Sequence, residues 1–505
     1  MVKATLRSAV LLGLLAFSAP SYAEVQNVKV GGEVTVTGFH RKSLRLSEDV
    51  FNSSAAQPAL ATTGQVTGAA PQTGSSGSSF LQQLTAINVG ADLTENVSTQ
   101  VRVINQRVWG ALDDNAVDST SSGSATNDHG NAVELSLANI TLKELFYSPL
   151  TVRIGRQPLW FGRGLIIGSR IHQGDVDPSN ALAADEFSDL AAGFDAIRGT
   201  LDLAGVAGMP LTLDTVYAKV TEDDVSVVTT GLDSSHDDTN LFGFNLGTKF
   251  DSMNGEAETY YWNKSNRSIT VVNVDKVPDS NTLGFRGSVS PADGASVYGE
   301  LAYQWGHAIT SGITYDAEGA AGDAYTAWAA NLGTDWTLKD AMWSPTVGAE
   351  WIFFTGRQIN GSGSAGWEPV FHGYFPDRLR STQTAGFYLP AQSGATVGGT
   401  FNAITNSYTN QHTLALHGTV MPIEDLAVDN RYSWFVADEG IKPTTTPGTK
   451  REHYFGSEWD MNATYNYTDD VQLGAALSVY WPGSVFRSPY DDISSQLLTS
   501  VSVKF

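Results

Sequence analysis

The chain has no cysteine, no apolar run long enough for a membrane helix beyond its first residues, and too few basic side chains to balance its acids. Each shortage excludes a class. A cysteine count of 0 removes disulfides, thiolate metal sites, attached c-type haem and cysteine nucleophiles together. A helical span needs about 20 consecutive apolar residues, so a helical membrane protein is excluded. Thirty Lys and Arg against 53 Asp and Glu leave a net charge of −23, the wrong sign for a nucleic-acid partner. Neither a phosphate-cradling glycine loop nor a zinc-ligand spacing is present. The nine histidines include His307, His372, His412, His417 and His453, but none is spaced with Ser and Asp as a catalytic triad would suggest. The chain is not expected to be an enzyme.

What is present is a run of short alternating strands whose connections switch between long and short. The long stretches lie near 40–79, 110–131, 158–193, 221–240, 264–281, 306–325, 356–410, 437–453 and 482–495. Tight connections separate them, as at Leu93–Val97, Ser148-Pro149, Asp251–Gly255, Pro291–Gly294, Lys339–Ser344, Pro422–Asp425 and Thr468–Asp470. This spacing predicts an all-β fold, a transmembrane antiparallel β-barrel of about 18 strands with long outer loops and short periplasmic turns. A barrel of that size encloses water, so its first-order function is passage. The 50 glycines, 12 Trp, 18 Tyr and 22 Phe suit bent strands with aromatic girdles. No globular domain precedes the first strand near Val28, so an internal plug is not expected.

Both ends of the chain point to the outer membrane of a Gram-negative bacterium. Residues 1–23 read as a secretory signal: Lys3 and Arg7 start it, Ala9–Phe17 form its apolar core, and Ser21-Tyr22-Ala23 make a small-x-small cleavage site. Residues 24–505 are then one barrel domain, and losing Lys3 and Arg7 takes the net charge from −23 to −25. At the other end Leu497, Thr499, Val501, Val503 and Phe505 share one mainly apolar face of a strand. That ending resembles the C-terminal recognition signal of bacterial outer-membrane proteins, which makes Phe505, Val503 and Val501 the expected contact for the barrel-assembly machinery. Expected surroundings are outer-membrane lipid and lipopolysaccharide, with the barrel as a monomer.

The long loops differ in character. Asn52–Ser79 is nearly uncharged and built of Ala, Gly, Ser, Thr, Gln and Pro, so it lacks the material to order itself and reads as a flexible extracellular loop. Within 356–410, Trp367, Phe371, Tyr374, Phe375, Phe387 and Tyr388 supply apolar material for folding over or into the mouth. Acids gather at Asp113, Asp114, Asp118 and Asp128, and again at Asp223, Asp224, Asp237 and Asp238. These read either as solvated, mutually repelling surface or, in the second group, as carboxylate ligands for Ca²⁺. No other cofactor is expected.

Arginines on strands carry the information about the lumen. In 194–203, Ile197, Leu201 and Leu203 share the face expected to meet lipid, while Arg198, Thr200 and Asp202 share the other. An arginine facing lipid at the midplane costs about 2–4 kcal/mol, so Arg198 should line water. Arg102 and Arg107 fall on opposite parities of 97–109, which puts one of them at an interface.

Residues Arg153-Ile154-Gly155-Arg156-Gln157, followed by Gly162-Arg163-Gly164-Leu165-Ile166-Ile167-Gly168, resemble a motif of the alginate export family of outer-membrane barrels. Phe194-Asp195-Ala196-Ile197-Arg198 is similar to the Phe-Asp-Gly element that follows there, with Ala196 in place of glycine. A third match runs from Gly456-Ser457-Glu458-Trp459-Asp460 through Ala463-Thr464-Tyr465 to Val479-Tyr480-Trp481-Pro482-Gly483. The resemblance implies an 18-stranded barrel through which an anionic polysaccharide crosses an arginine-lined constriction. Carried over by position, Arg156, Arg163, Asp195 and Arg198 would form that constriction and its ion pairs, with Arg153, Arg102 and Arg107 as further candidates. An Arg156–Asp195 pair that only holds a loop to the wall is the competing reading. The resemblance also suggests a periplasmic scaffold partner. The acidic chain favours a rival function, a general or cation-preferring diffusion porin for small solutes.

Overall fold

Eighteen antiparallel strands form one sheet in which every strand pairs with its neighbours in sequence, as seen in a computed structural model of the chain. The structure describes residues 27–43, 77–109, 133–168, 193–221, 239–266, 279–307, 324–356, 366–374, 376–381, 409–441, 452–485 and 491–505. The strands are β1 (Asn27–Lys42), β2 (Gly77–Thr94), β3 (Val97–Val108), β4 (Glu134–Leu142), β5 (Leu150–Gln157), β6 (Phe194–Asp202), β7 (Leu211–Thr221), β8 (Thr239–Phe250) and β9 (Gly255–Asn266). They continue as β10 (Asp279–Ala292), β11 (Ala295–His307), β12 (Ala324–Thr337), β13 (Thr346–Phe354), β14 (Gln411–Ile423), β15 (Leu426–Ile441), β16 (Glu452–Asn466), β17 (Val471–Pro482) and β18 (Ser494–Lys504). Closure comes from β1, which pairs with β2 on one side and with β18 on the other, Val36 standing opposite Val501. No strand edge is left open, as a span through hydrocarbon requires.

The period of two sorts each strand into an outer and an inner face. One ladder row joins Ile140, Ile154, Ile197, Tyr217 and Phe242 across five strands, and all five side chains are exposed on the outside. These face lipid, and Ile197 lies where its parity predicts. Further round the wall, Phe244, Tyr261, Trp305, Tyr303 and Trp328 follow one another with ring centroids 4.7 to 6.3 Å apart, an aromatic belt. In β18, Leu497, Val501 and Val503 are exposed outward. Phe505 closes the ladder, its N–H donating to the Gly32 carbonyl at 3.0 Å.

The inside is not an empty cylinder. Residues 158–168 after β5 and 366–374 after β13 turn into the lumen and pack on each other and on the wall from β6 to β13. Leu159, Phe161, Leu165, Ile166 and Ile167 from the first, with Trp367, Val370 and Phe371 from the second, join Phe194, Val216, Tyr260, Trp262, Ile352 and Phe354 in one buried apolar cluster. The two segments form a parallel bridge between Ile167 and Phe371, with the Phe371 N–H donating to Ile166 at 3.0 Å and the Gly373 N–H to Gly164 at 2.8 Å. Lys264 and Gln304 on the wall hold the second segment through its carbonyls, Lys264 Nζ to Pro369 at 3.0 Å and Gln304 Nε2 to Glu368 at 2.8 Å. Gly162, at φ 56°, makes the inward turn possible, since a Cβ there would lie 2.6 Å from Arg286 Cδ.

Candidate functional site

The lumenal wall carries paired charges at the level where the infolded segments narrow it. The strand-borne pairs follow from inner parity, which sets long polar side chains of adjacent or next-but-one strands within reach of one another. Arg102 of β3 reaches Glu33 of β1 at 2.6 Å. Arg198 Nε donates to Asp214 Oδ1 of β7 at 2.8 Å, and its guanidinium lies 5.0 Å from the Phe161 ring. Arg286 of β10 spans Glu256 and Glu258 of β9, 2.8 Å from the latter. Arg431 of β15 donates to Glu350 at 2.9 Å and to Asp377 at 2.8 Å.

Glu350, on β13 with its side chain fully buried, is the hub. It accepts from Asn331 Nδ2 at 2.7 Å, from the Tyr374 hydroxyl, which lies 2.9 Å from each carboxylate oxygen, and from Arg431. Arg163 completes it from the infolded turn, 3.7 Å from Glu350, donating to Tyr374 Oη at 3.1 Å and stacked 3.8 Å over the Tyr298 ring. A third of the Arg163 side chain stays open to the lumen. Burial, and after it the Glu350 carboxylate, raise the Tyr374 phenol above its ordinary range, so it stays protonated and donates. Glu350, Tyr374, Tyr298, Arg431, Asp377, Arg286, Glu256 and Glu258 were missed from sequence. The available signal was an acid or arginine on the polar parity of a strand, as at Glu350 between Ala349 and Trp351.

Of the motif residues, Arg153 and Arg198 stand side by side on the inner face, and Arg163 lies inside at Glu350, Tyr374 and Tyr298. Arg153 stands directly opposite Arg198 in the ladder and donates to Thr141 Oγ1 at 3.2 Å. Arg156 and Asp195 do not join them. They occupy the outer parity, one step above Ile154 and Ile197, and form a forked pair with Arg156 Nε to Oδ1 at 3.0 Å and Nη2 to Oδ2 at 2.9 Å. Their side chains are 38% and 56% exposed, and Lys219 of β7 stands next in the same row. Arg156 and Asp195 therefore stand apart from the inward arginines, on the opposite face of the wall. The outer end of a strand lies at headgroup level, where a charge is tolerated. Arg107 is likewise exposed on the outer parity of Val101, whereas Arg102 faces inward. Asp223, Asp224, Asp237 and Asp238 lie outside the described residues, as do the signal segment 1–23 and most of the loop 52–79.

The family model described as Alginate export matches residues 82–498, from β2 to β18 and through all three motif segments. The chain belongs to the alginate export family. Among solved structures it is similar to OccAB1 of Acinetobacter baumannii, at 11% identity and TM-score 0.50 over 96% of this chain and 99% of that one. It is also similar to OccK8 (OprE) of Pseudomonas aeruginosa, at 12% identity and TM-score 0.50 over 95% and 98%. Identity this low shows the barrel fold alone. No curated protein matches the chain. As a member of the alginate export family with a closed 18-stranded barrel, the protein is an outer-membrane channel.

Proposed function

We propose that this channel passes an anionic polysaccharide, or a similar acidic solute, through a pore lined by arginine. One observation carries the reading: Arg153 and Arg198 stand abreast on β5 and β6, and among the described residues the one acid paired with either is Asp214, bound by Arg198. Asp214 pairs with Arg198 while Arg153 donates to the neutral Thr141, so two guanidinium groups stand beside one carboxylate and leave positive charge facing the lumen, where guanidinium donors pair well with carboxylates. Arg163, on the infolded turn, adds a guanidinium with a third of its side chain open. In this reading the mature chain begins near Glu24, and delivery rests on a periplasmic scaffold partner.

A general or cation-preferring porin is the second reading, favoured by inward acids such as Glu33, Glu256, Glu258 and Glu300 and by the net charge of −23. Reversal potentials across a planar bilayer separate the two. Anion selectivity is expected, with R153E and R198E each moving it toward cations, and polyuronate is expected to block the current less in both variants. Cation selectivity in the wild type, unchanged by either substitution, would reject the arginine pore.

A further inference from the structure

Arg431 has a second partner waiting. On β15 it stands directly opposite Asp460 of β16 in the ladder, both on the inner face and both buried. Yet its bonds go elsewhere: Nε to Asp377 of the infolded segment at 2.8 Å and Nη1 to Glu350 at 2.9 Å. Its remaining nitrogen, Nη2, is buried with no hydrogen-bond acceptor, and both Asp460 oxygens are buried with no donor. A spare donor and a spare carboxylate thus face each other across one rung. An unpaired buried carboxylate is costly, and a charge-assisted hydrogen bond is the direct remedy.

The shortage continues along the same row. Asp460 stands opposite Ser478, Ser478 opposite Gln496 and Gln496 opposite Arg41. Ser478 Oγ and Gln496 Nε2 are also buried without partners. Four successive strands therefore carry unspent hydrogen-bonding capacity on the inner wall. Packed near this row is the short helical turn Arg378–Ser381, which touches β16, β17 and β18. Polar contacts that hold it include Asp377, gripped by Arg431 and Ser433, and the Leu379 N–H, which donates to Glu458 Oε1 at 2.6 Å.

We infer that Asp377 is the latch of a gate. While Arg431 holds Asp377, the segment 376–379 lies against the wall and narrows the lumen beside β15–β18. When Arg431 turns to Asp460, the segment is released and the polar row becomes channel wall. Asp377 and Asp460 compete for one guanidinium, so the balance between them sets the open fraction. This inference concerns opening and not the charge of the solute. Its test is conductance, which separates it from the anion reading.

In single-channel recordings of the full barrel, D377N is expected to raise the open probability about tenfold, the scale of one charge-assisted hydrogen bond. D460N should do the opposite, because it removes the acceptor of the open state. Opposite shifts from two isosteric substitutions around one arginine are not produced by simple loss of stability. Shifts in the same direction, or none in either variant, overturn the latch. A D377C/S433C pair makes a second test in this cysteine-free chain, since Asp377 and Ser433 are in direct contact. Oxidation should lock the segment down and lower the conductance, and reduction should restore it. Conductance that ignores oxidation, with the disulfide verified by mass spectrometry, means that the segment does not move.

Discussion

A guanidinium group on a strand has two destinations here, and one residue of parity decides between them. Arg153 and Arg198 point inward, while Arg156 points outward to Asp195 at the rim. R156Q is therefore expected to leave the reversal potential unchanged, in contrast to R198E, because its charge sits outside the permeation path. A shift in R156Q equal to that of R198E would return Arg156 to the lumen. The contrast was legible in the chain: Asp195 is two residues before Ile197, and Arg156 two after Ile154, so both shared a face with a lipid-facing isoleucine. Motif position argued against that parity, and parity holds in the structure. Glu350 shows the opposite limit. Its partners Tyr298, Asn331, Tyr374 and Arg431 come from four different segments, and no spacing in sequence brings them together.

Strands were legible because each carries its own signal, an alternation and a turn, within about a dozen residues. The infolded segments were only half legible. Trp367, Phe371 and Tyr374 announced apolar material near the mouth, but their depth depends on meeting residues 158–168, about two hundred positions earlier in the chain. Long-range packing of this kind leaves no local pattern. It does leave a clear energetic expectation. Leu165 is 1% exposed within the shared cluster, and truncating such a leucine costs about 2–5 kcal/mol. In L165A the cost should fall on docking of the two segments, because the ladder hydrogen bonds of the wall are untouched. The expected result is a larger or noisier conductance with the heat-resistant, folded band on gels preserved. Loss of that band would show instead that the infolded segments help to hold the barrel. Gly155 tests the wall itself: at φ 112° its added Cβ would meet the Ala138 carbonyl at 2.3 Å, so G155V should lower the yield of folded barrel.

At the scale of the whole molecule, the barrel joins two charge patterns that act over different ranges. The chain as a whole bears −23, which repels an anion at a distance. In the proposed pore Arg153, Arg163 and Arg198, which face inward, would act on a solute already within a few ångströms. Salt separates them, because the screening length falls from about 10 Å at 0.1 M to about 3 Å at 1 M. Raising salt should first abolish the long-range repulsion while leaving contacts in the constriction, so the anion preference of the wild type should rise or hold between 0.1 and 0.3 M before it declines toward 1 M. R198E should lack the early rise, since it has no local attraction for the repulsion to mask. Reversal potentials measured at fixed gradients across that range check it. A monotonic fall in both proteins would mean that the lumenal arginines are neutralised by Asp214 and Glu350, and that selectivity comes from the surface alone.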